Sequence, residues 1–344
     1  MRLRAACVVA VAAVLPAGIA GAAAPAAPGY HLVKTFAVGG DGGWDYLTFD
    51  PQTHHLYLSR STHVVVIDAA TGAPVGEIAD TPGVHGVALV PGTEIGYTSD
   101  GRSGNATMFD TRTFKAIKQV AVGEGPDAIV YDPASKRVFT MNGRGHDTTA
   151  IDAATSTVAG RVPLGGKPEF AAADGHGHLF INSESTSEVV EIDTHKLAVL
   201  ARWPLAPGEG PSGMAIDAAH HRLFIGCHNK LMVVMNADTG KVVTTVPIGA
   251  GVDANAFDPG SGLAFASCGD GTLTVARETA PDQFAVAQTV TTERGARTMA
   301  LDPATHTVYL ATAKFGPPPP PTPERPHPWP SIVPGSFVVL VFGQ

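Results

Sequence analysis

WDYLTFDP (44–51) recurs along the chain in seven diverged copies, and this repetition decides the fold. The other copies are HGVALVP (85–91), PDAIVYDP (126–133), PEFAAAD (168–174), PSGMAID (211–217), VDANAFDP (252–259) and ARTMALDP (296–303). An anchor aspartate stands at 50, 132, 174, 217, 258 and 302, with Val90 in its place in the second copy. The first and last anchors enclose six intervals in 252 residues, a mean period of 42. A period of about 40–45 with four strands per unit is typical of a β-propeller.

The ends of the chain predict how the ring closes. The last repeat has three predicted strands, TMALD, TVYLAT and SFVVLVFG. Residues 31–39 (HLVKTFAVG) match the fourth strand of the second repeat, KAIKQVAVG (115–123). The sequence therefore predicts an all-β, seven-bladed propeller over residues 30–344, whose N-terminal strand completes the last blade and covers its open edge.

The N-terminal segment predicts export. Arg2 and Arg4 precede a short apolar run (5–20), and Ala20-Gly21-Ala22 follows as a small-residue cleavage site. This order is typical of a signal peptide, here over residues 1–24, and the run is too short for a confident membrane anchor. We expect a periplasmic or secreted protein with no membrane span.

The composition and the net charge limit the kinds of partner that the chain could bind. The net charge is −8, or −10 without Arg2 and Arg4, which argues against a nucleic-acid partner because phosphates require basic patches. The 39 glycines and 28 prolines suit short strands and tight turns. A monomer is expected. The two cysteines after the N-terminal segment, Cys227 and Cys268, hold equivalent positions in neighbouring repeats, which favours two buried thiols over a disulfide.

One segment breaks the repeat. Residues 316–335 (GPPPPPTPERPHPWPSIVPG) lie between the second and third strands of the last blade, and five consecutive prolines cannot enter a sheet ladder. Two interpretations stay open. The segment is either a stiff, solvated loop or a lid or docking arm with Trp329 as its anchor.

The aligned repeats place seven polar residues at the start of the inner strands, around one opening of the central channel. We call them the mouth ring: Asp45, His85, Asp127, Glu169, Ser212, Asp253 and Arg297. The alternative to a functional site is that these residues are polar only because the ends of strands are exposed to solvent. A second predicted ring, at the ends of the second strands, contributes the candidates Arg60, Asp100 and Asn142, and His228 follows in the next loop.

The mouth ring predicts a binding site. Its carboxylates repel one another and need counter-charge, from Arg297 and Arg60 or from a divalent cation such as Ca²⁺ held by Asp45, Asp127, Asn142, Glu169 and Asp253. Ligand or partner contacts are expected from Arg60, Asp100, Ser212, His228 and Trp329. His85, Glu169, Asp127 and Arg297 are the candidate catalytic residues, with His85 as a general base.

The segments GYTSDGRSGNATMFDTRT (96–113), LFINSESTSEVVEIDTHK (179–196) and LYLSRSTHVVVIDAATG (56–72) resemble the YVTN repeat, and the whole pattern is similar to the exported YncE-like propellers. The resemblance implies a seven-bladed periplasmic fold but no single function. Fold relatives include gluconolactonase-like, metal-dependent lactonases. Their Glu, Asn and Asp ligands would correspond to Glu169, Asn142 and Asp253, with Asp127. Two hypotheses remain: an exported propeller that binds a small ligand or protein partner at the mouth, or a divalent-metal-dependent hydrolase or lyase of a lactone-like substrate.

Overall fold

The computed structural model describes residues 29–322 and 330–344, and it folds them into seven four-stranded antiparallel sheets arranged as the blades of a propeller. These residues contain no helix, and so none that could cross a membrane. The predicted signal peptide (1–24) lies outside the described residues. The all-β, seven-bladed prediction is confirmed.

Each blade is a meander that runs from the channel outward. Blade 1 comprises β2 (Leu47–Asp50), β3 (His55–Ser59), β4 (Val64–Asp68) and β5 (Pro74–Ile78). Blade 2 comprises β6 (Val84–Val90), β7 (Ile95–Asp100), β8 (Asn105–Asp110) and β9 (Ala116–Ala121). Blade 3 comprises β10 (Pro126–Asp132), β11 (Arg137–Asn142), β12 (Asp147–Asp152) and β13 (Thr157–Pro163). Blade 4 comprises β14 (Pro168–Ala173), β15 (His178–Ser183), β16 (Glu188–Asp193) and β17 (Ala198–Pro204).

The remaining blades follow the same order. Blade 5 comprises β18 (Pro211–Asp217), β19 (Arg222–Cys227), β20 (Leu231–Asn236) and β21 (Val242–Pro247). Blade 6 comprises β22 (Val252–Asp258), β23 (Leu263–Cys268), β24 (Thr272–Ala280) and β25 (Gln283–Thr291). Blade 7 comprises β26 (Met299–Asp302), β27 (Thr307–Thr312), β28 (Val338–Gly343) and, as its outer strand, β1 (His31–Ala37).

The N-terminal strand closes the ring, as the sequence predicts. β1 pairs antiparallel with β28, from His31 opposite Gly343 to Ala37 opposite Val338. Phe36 of β1 is buried in the core cluster that blade 7 shares with blade 1. The strand therefore satisfies the edge of β28 and also contributes apolar contacts to the blade interface.

The repeated phrase has a clear structural role. The carboxylate of Asp50 accepts hydrogen bonds from Gln52 N at 2.9 Å and Thr53 Oγ1 at 2.7 Å, which fixes the turn between β2 and β3. Asp302 makes equivalent bonds to Ala304 N and Thr305 Oγ1. The anchor aspartates thus stabilise turns on the face opposite the mouth ring.

The core lies between neighbouring blades, where apolar side chains of two sheets interdigitate. Cys227 and Cys268 are buried in it with free thiols, which confirms the prediction of two unpaired cysteines. Burial raises the pKa of each thiol to about 12, so neither is a reactive thiolate near neutral pH.

Candidate functional site at the channel mouth

The structure brings the predicted mouth ring together as a connected arc of polar contacts. His85 Nδ1 donates to Asp45 Oδ2 at 2.6 Å and lies 3.5 Å from Asp127 Oδ1. Arg297 Nε donates to Asp253 Oδ2, and its Nη2 lies 3.7 Å from Asp45 Oδ1. The arc therefore runs through blades 3, 2, 1, 7 and 6.

The arc continues into blade 5, where Ser212 Oγ donates to Asp253 Oδ1 at 3.0 Å. Glu169 of blade 4 stands apart from these contacts, and Lys167 Nζ lies 2.9 Å from its Oε2. Lys167 also forms an ion pair with Glu184 of the same blade. All seven mouth-ring residues thus have a charged or polar partner.

Two aromatic side chains meet across the channel beside the ring. Tyr46 of blade 1 packs edge-on against Phe170 of blade 4, with ring centroids 5.1 Å apart. Because these blades are not neighbours, this contact crosses the channel. We call the mouth, with the mouth ring as its rim and Tyr46 and Phe170 as its floor, the cup.

The floor residues were missed in the sequence analysis, although the repeats carry a signal for them. Both follow a mouth-ring residue directly, at a position where most other copies have a small residue: Gly86, Ala128, Gly213, Ala254 and Thr298. Two large aromatic residues among small ones indicate that these side chains fill space on the channel axis.

Lys167 was also missed, and its signal is stronger. The position two residues before each mouth-ring residue is a glycine in six copies: Gly43, Gly83, Gly125, Gly210, Gly251 and Gly295. The fourth copy has Lys167 there, beside the mouth-ring carboxylate of Glu169. A cation at the single exception to a glycine column predicts a specific role in the cup.

His85 is held as a cation by its neighbours. Burial disfavours its charged form, but the hydrogen bond to Asp45 and the charges of Asp127, Asp45 and Glu169 outweigh burial and raise the pKa of His85 to about 9. The imidazole is therefore protonated at neutral pH. A general-base role would require that proton to leave first.

Burial acts to lower the pKa of His85, but it raises the pKa values of the mouth-ring carboxyl groups Asp127 and Glu169. Burial raises the pKa of Asp127 to about 6, opposed by His85 and reinforced by the charges of Asp45 and Asp253. Burial and the charge of Asp127 raise the pKa of Glu169 to about 8, against the pull of Lys167. Glu169 therefore changes protonation close to neutral pH, as a general acid or base requires.

The second predicted ring does not reach the cup. Arg60 is 1% exposed, and its guanidinium donates to the carbonyls of Gly39, Asp41 and Gly43 at 2.8, 2.9 and 3.2 Å. It also lies 3.8 Å from the ring centroid of Phe337. Arg60 thus stabilises the segment that leads into blade 1. The sequence predicted that Arg60 would balance the mouth-ring carboxylates, but Lys167 is the cation that pairs with Glu169.

Asp100 and Asn142 are buried in the same way. Asp100 accepts hydrogen bonds from the hydroxyls of Thr98 and Thr107. The amide of Asn142 donates to Thr149 Oγ1 at 2.9 Å and to Asp147 Oδ1. Their polar atoms are committed inside the blades, because the loops of this face cover the ends of the second strands. The two residues are therefore not ligands of the cup.

His228 and the proline-rich segment lie beside the cup. His228 Nδ1 is 3.7 Å from Glu184 Oε1. At the base of the segment, Phe315 pairs with Ile332, and the Phe315 ring lies 6.0 Å from the Trp44 ring. The base therefore packs next to the mouth ring. The predicted anchor Trp329 lies outside the described residues.

Two cavities occupy the mouth face. A polar cavity of about 460 Å³ is lined by Asp45, His85, Arg102, Arg144 and Arg297, among others. A second, more apolar cavity of about 610 Å³ is lined by residues that include Trp44, Val252, Phe315, Pro330 and Ile332. A third cavity of about 790 Å³ lies on the opposite face, away from the mouth ring. Only the first two adjoin the charged arc.

Asp45, His85 and Asp127 each offer one atom that could ligate a metal ion, and these atoms lie within 4.8 Å of one another. The lactonase-like set expected from the resemblance is not assembled in this way, because Asn142 is committed inside blade 3. No family model matches the chain, and no curated protein matches it.

Proposed function

We propose that this chain is an exported propeller of the YncE-like, YVTN-repeat kind that binds a small polar molecule in the cup. The quoted repeats support the family, and the apolar N-terminal run after Arg2 and Arg4 supports export. The observation that carries the binding function is the cup, which presents a connected arc of donors and acceptors beside the Tyr46–Phe170 floor.

The shape favours a small molecule over a macromolecule. The two cavities at the mouth, of about 460 and 610 Å³, fall within the range of about 300–1,000 Å³ that is usual for ligand pockets. Asp45, His85 and Arg297 line the first cavity, and Asp253 and Arg297 line the second. A molecule bound in either cavity would therefore contact the mouth ring from the side.

The electrostatics favour a ligand that both donates and accepts hydrogen bonds. His85, Lys167 and Arg297 each form an ion pair with a mouth-ring carboxylate, so the ring offers both donors and acceptors. These pairs also fix the directions in which the side chains point. A ligand would meet preorganised groups, which reduces the entropic cost of binding.

The test is a binding screen of the purified chain against polar metabolites by native mass spectrometry, followed by calorimetry on each hit. His85→Ala and Arg297→Ala should each weaken binding by about tenfold or more, because each removes a charged donor from the cup. The matched control is His221→Ala, an exposed histidine paired with Asp238 on the opposite face. Hits that bind both mouth variants and the wild type equally would refute the proposal.

A divalent-metal-dependent hydrolase or lyase of a lactone-like substrate is the second candidate, favoured by the Asp45–His85–Asp127 cluster. The oxygen and nitrogen donors fit a divalent cation, but His85 must first give up its proton, so binding should strengthen as pH rises toward 9. A bound ion would polarise the substrate carbonyl and activate water. Glu169, whose pKa is about 8, would transfer protons, and Arg297 would orient the substrate.

Metal analysis and a lactone panel test this candidate. Purified protein should hold one divalent ion per chain, and Asp127→Asn should lose both the ion and hydrolysis. Asp238→Asn, on the opposite face, serves as the control with an unaffected metal content. Hydrolysis that survives Asp127→Asn, or a metal content equal in the two variants, would eliminate it.

A further inference from the structure

Three arginines on the mouth face have no carboxylate partner among residues 29–322 and 330–344. Arg102 and Arg144 occupy equivalent loop positions in blades 2 and 3, and both are exposed. Arg144 Nη2 donates to Gly101 O at 2.7 Å, which fixes its guanidinium at the edge of the polar cavity. Arg294 lies over the Phe315 ring, 5.7 Å from its centroid. The guanidinium charges of Arg102 and Arg144, at the polar cavity, are therefore not neutralised by an ion pair.

The two cavities of the mouth face adjoin one another. Trp44 and Arg297 line both of them, so a molecule that extends past these two side chains would reach from the polar cavity into the apolar one. Arg102 and Arg144 border the polar part, whereas Phe315, Pro330 and Ile332 border the other. The combined site is charged at one end and apolar at the other.

Trp44 forms part of the wall that the two cavities share. Its ring packs against the rings of Phe315 and Phe337, with centroids 6.0 and 5.6 Å apart, and 8% of the residue is exposed. A ligand would therefore contact Trp44 only over this small exposed part.

The carboxylates that line the apolar cavity favour placing an anionic head in the polar cavity. Asp253 is paired with Arg297, but Asp270 accepts only from the neutral donors Ala250 N and Thr272 Oγ1 and keeps its charge. The guanidinium of Arg102, in the polar cavity, forms no hydrogen bond or ion pair with the described residues. Guanidinium groups bind planar oxyanions through paired, charge-assisted hydrogen bonds.

We propose that the cup takes a small molecule with an oxyanion head and a planar apolar body. The head lies between Arg102 and Arg144 in the polar cavity, and the body extends past Trp44 into the cavity lined by Phe315 and Ile332. This inference rests on the proposed function, because it specifies which ligand class the mouth binds. It goes beyond that function by assigning Arg102, Arg144 and the base of the proline-rich segment to recognition.

Calorimetry on the full chain with three naphthalene compounds tests the inference. Naphthoate carries a carboxylate and naphthyl phosphate carries a phosphate. Naphthamide has a neutral amide of similar shape in place of the carboxylate of naphthoate. We expect naphthoate to bind at least about tenfold more tightly than naphthamide, and the double variant Arg102→Ala/Arg144→Ala to remove that difference. The stronger of the two anions identifies the head group as carboxylate or phosphate.

The control is Arg112→Ala, an exposed arginine of the third, opposite-face cavity that is paired with Glu94. This variant should leave naphthoate binding unchanged, and its failure to do so would move the site to the other face and overturn the inference. Equal binding of naphthoate and naphthamide, or naphthoate binding that survives Arg102→Ala/Arg144→Ala, also overturns it. If metabolite hits still depend on His85 in that case, the ligand class is wrong and the proposed cup function stands. If they do not, both fail.

Discussion

The ring of Tyr46 meets the ring of Phe170 across the channel at a centroid distance of 5.1 Å, and this contact joins blades 1 and 4 directly. Tyr46 is 7% exposed and lies among the mouth-ring carboxylates, whose charges add to burial in raising its pKa well above the usual value. Its hydroxyl is therefore neutral. The pair therefore forms a neutral contact directly beside the charged mouth ring.

Phe170→Ala should open this floor. Loss of a partly buried phenylalanine should lower the free energy of unfolding by about 2 kcal/mol, measured by urea denaturation. Water and ligands could then enter more deeply, so the affinity of any molecule bound in the cup should change by about tenfold. The matched control is Phe284→Ala, which removes another partly buried ring. Phe284 lies on the outer strand of blade 6, and its ring centroid is 5.5 Å from that of Phe224 in blade 5. If both variants alter ligand affinity equally, the floor has no special role.

The protonation of His85 should depend on Asp45. The pKa of His85 is raised from 6.5 to about 9, because the bond to Asp45 and the nearby carboxylates outweigh burial. Asp45→Asn should lower it by about one unit or more. The measurement is an NMR titration of the His85 Cε1 proton, assigned by its absence in His85→Gln.

The same shift has a consequence for stability. A raised folded-state pKa contributes stability that is complete below the unfolded value of about 6.5 and is lost as pH rises through about 9. The wild type should therefore lose its advantage over His85→Gln between these two values. An unfolding free-energy difference that stays constant across this window would show that His85 is not held as a cation.

The architecture could be predicted because each blade of a propeller carries the same sequence pattern. The anchor carboxylate of Asp50 returns at the same turn in blades 3 to 7, and the match of 31–39 to a fourth strand predicts the closure by β1. The mouth ring could be located for the same reason, since equivalent positions form rings. The hydrogen-bond and ion-pair partners of the mouth-ring residues could not be predicted in this way, because pairing depends on the direction of each side chain and not only on its position in the repeat.

Arg60 shows the limit most clearly. Its position at a strand end predicts exposure, but the loop at 39–43 folds over it and supplies carbonyl acceptors. The covering loop is neither periodic nor part of the repeated phrase, so the alignment carried no information on it. Lys167 could have been found, since it alone interrupts a column of six glycines.

Lys167→Met should raise the pKa of Glu169 further above 8. Lys167 opposes the effect of burial and of the Asp127 charge on this carboxyl, and methionine keeps the side-chain length without the charge. The shift should be about one unit or more, measured by carbon NMR of the Glu169 carboxyl. Lys230→Met is the control in the neighbouring blade. A Glu169 titration that is the same in both variants would show that the Lys167 contact does not persist in solution.

Arg60→Ala should cost stability and should leave ligand contacts in the cup intact. The variant leaves the carbonyls of Gly39, Asp41 and Gly43 without a charged donor and removes the cation stacked on Phe337. Because the site is buried, we expect a loss of about 2–4 kcal/mol in the free energy of unfolding. Arg112→Ala, with 72% of its side chain exposed, should change it by no more than about 0.5 kcal/mol. Equal losses in the two variants would contradict the structural role of Arg60. A ligand affinity that falls in Arg60→Ala while its stability is unchanged would instead make Arg60 a binding residue, as its strand-end position predicts.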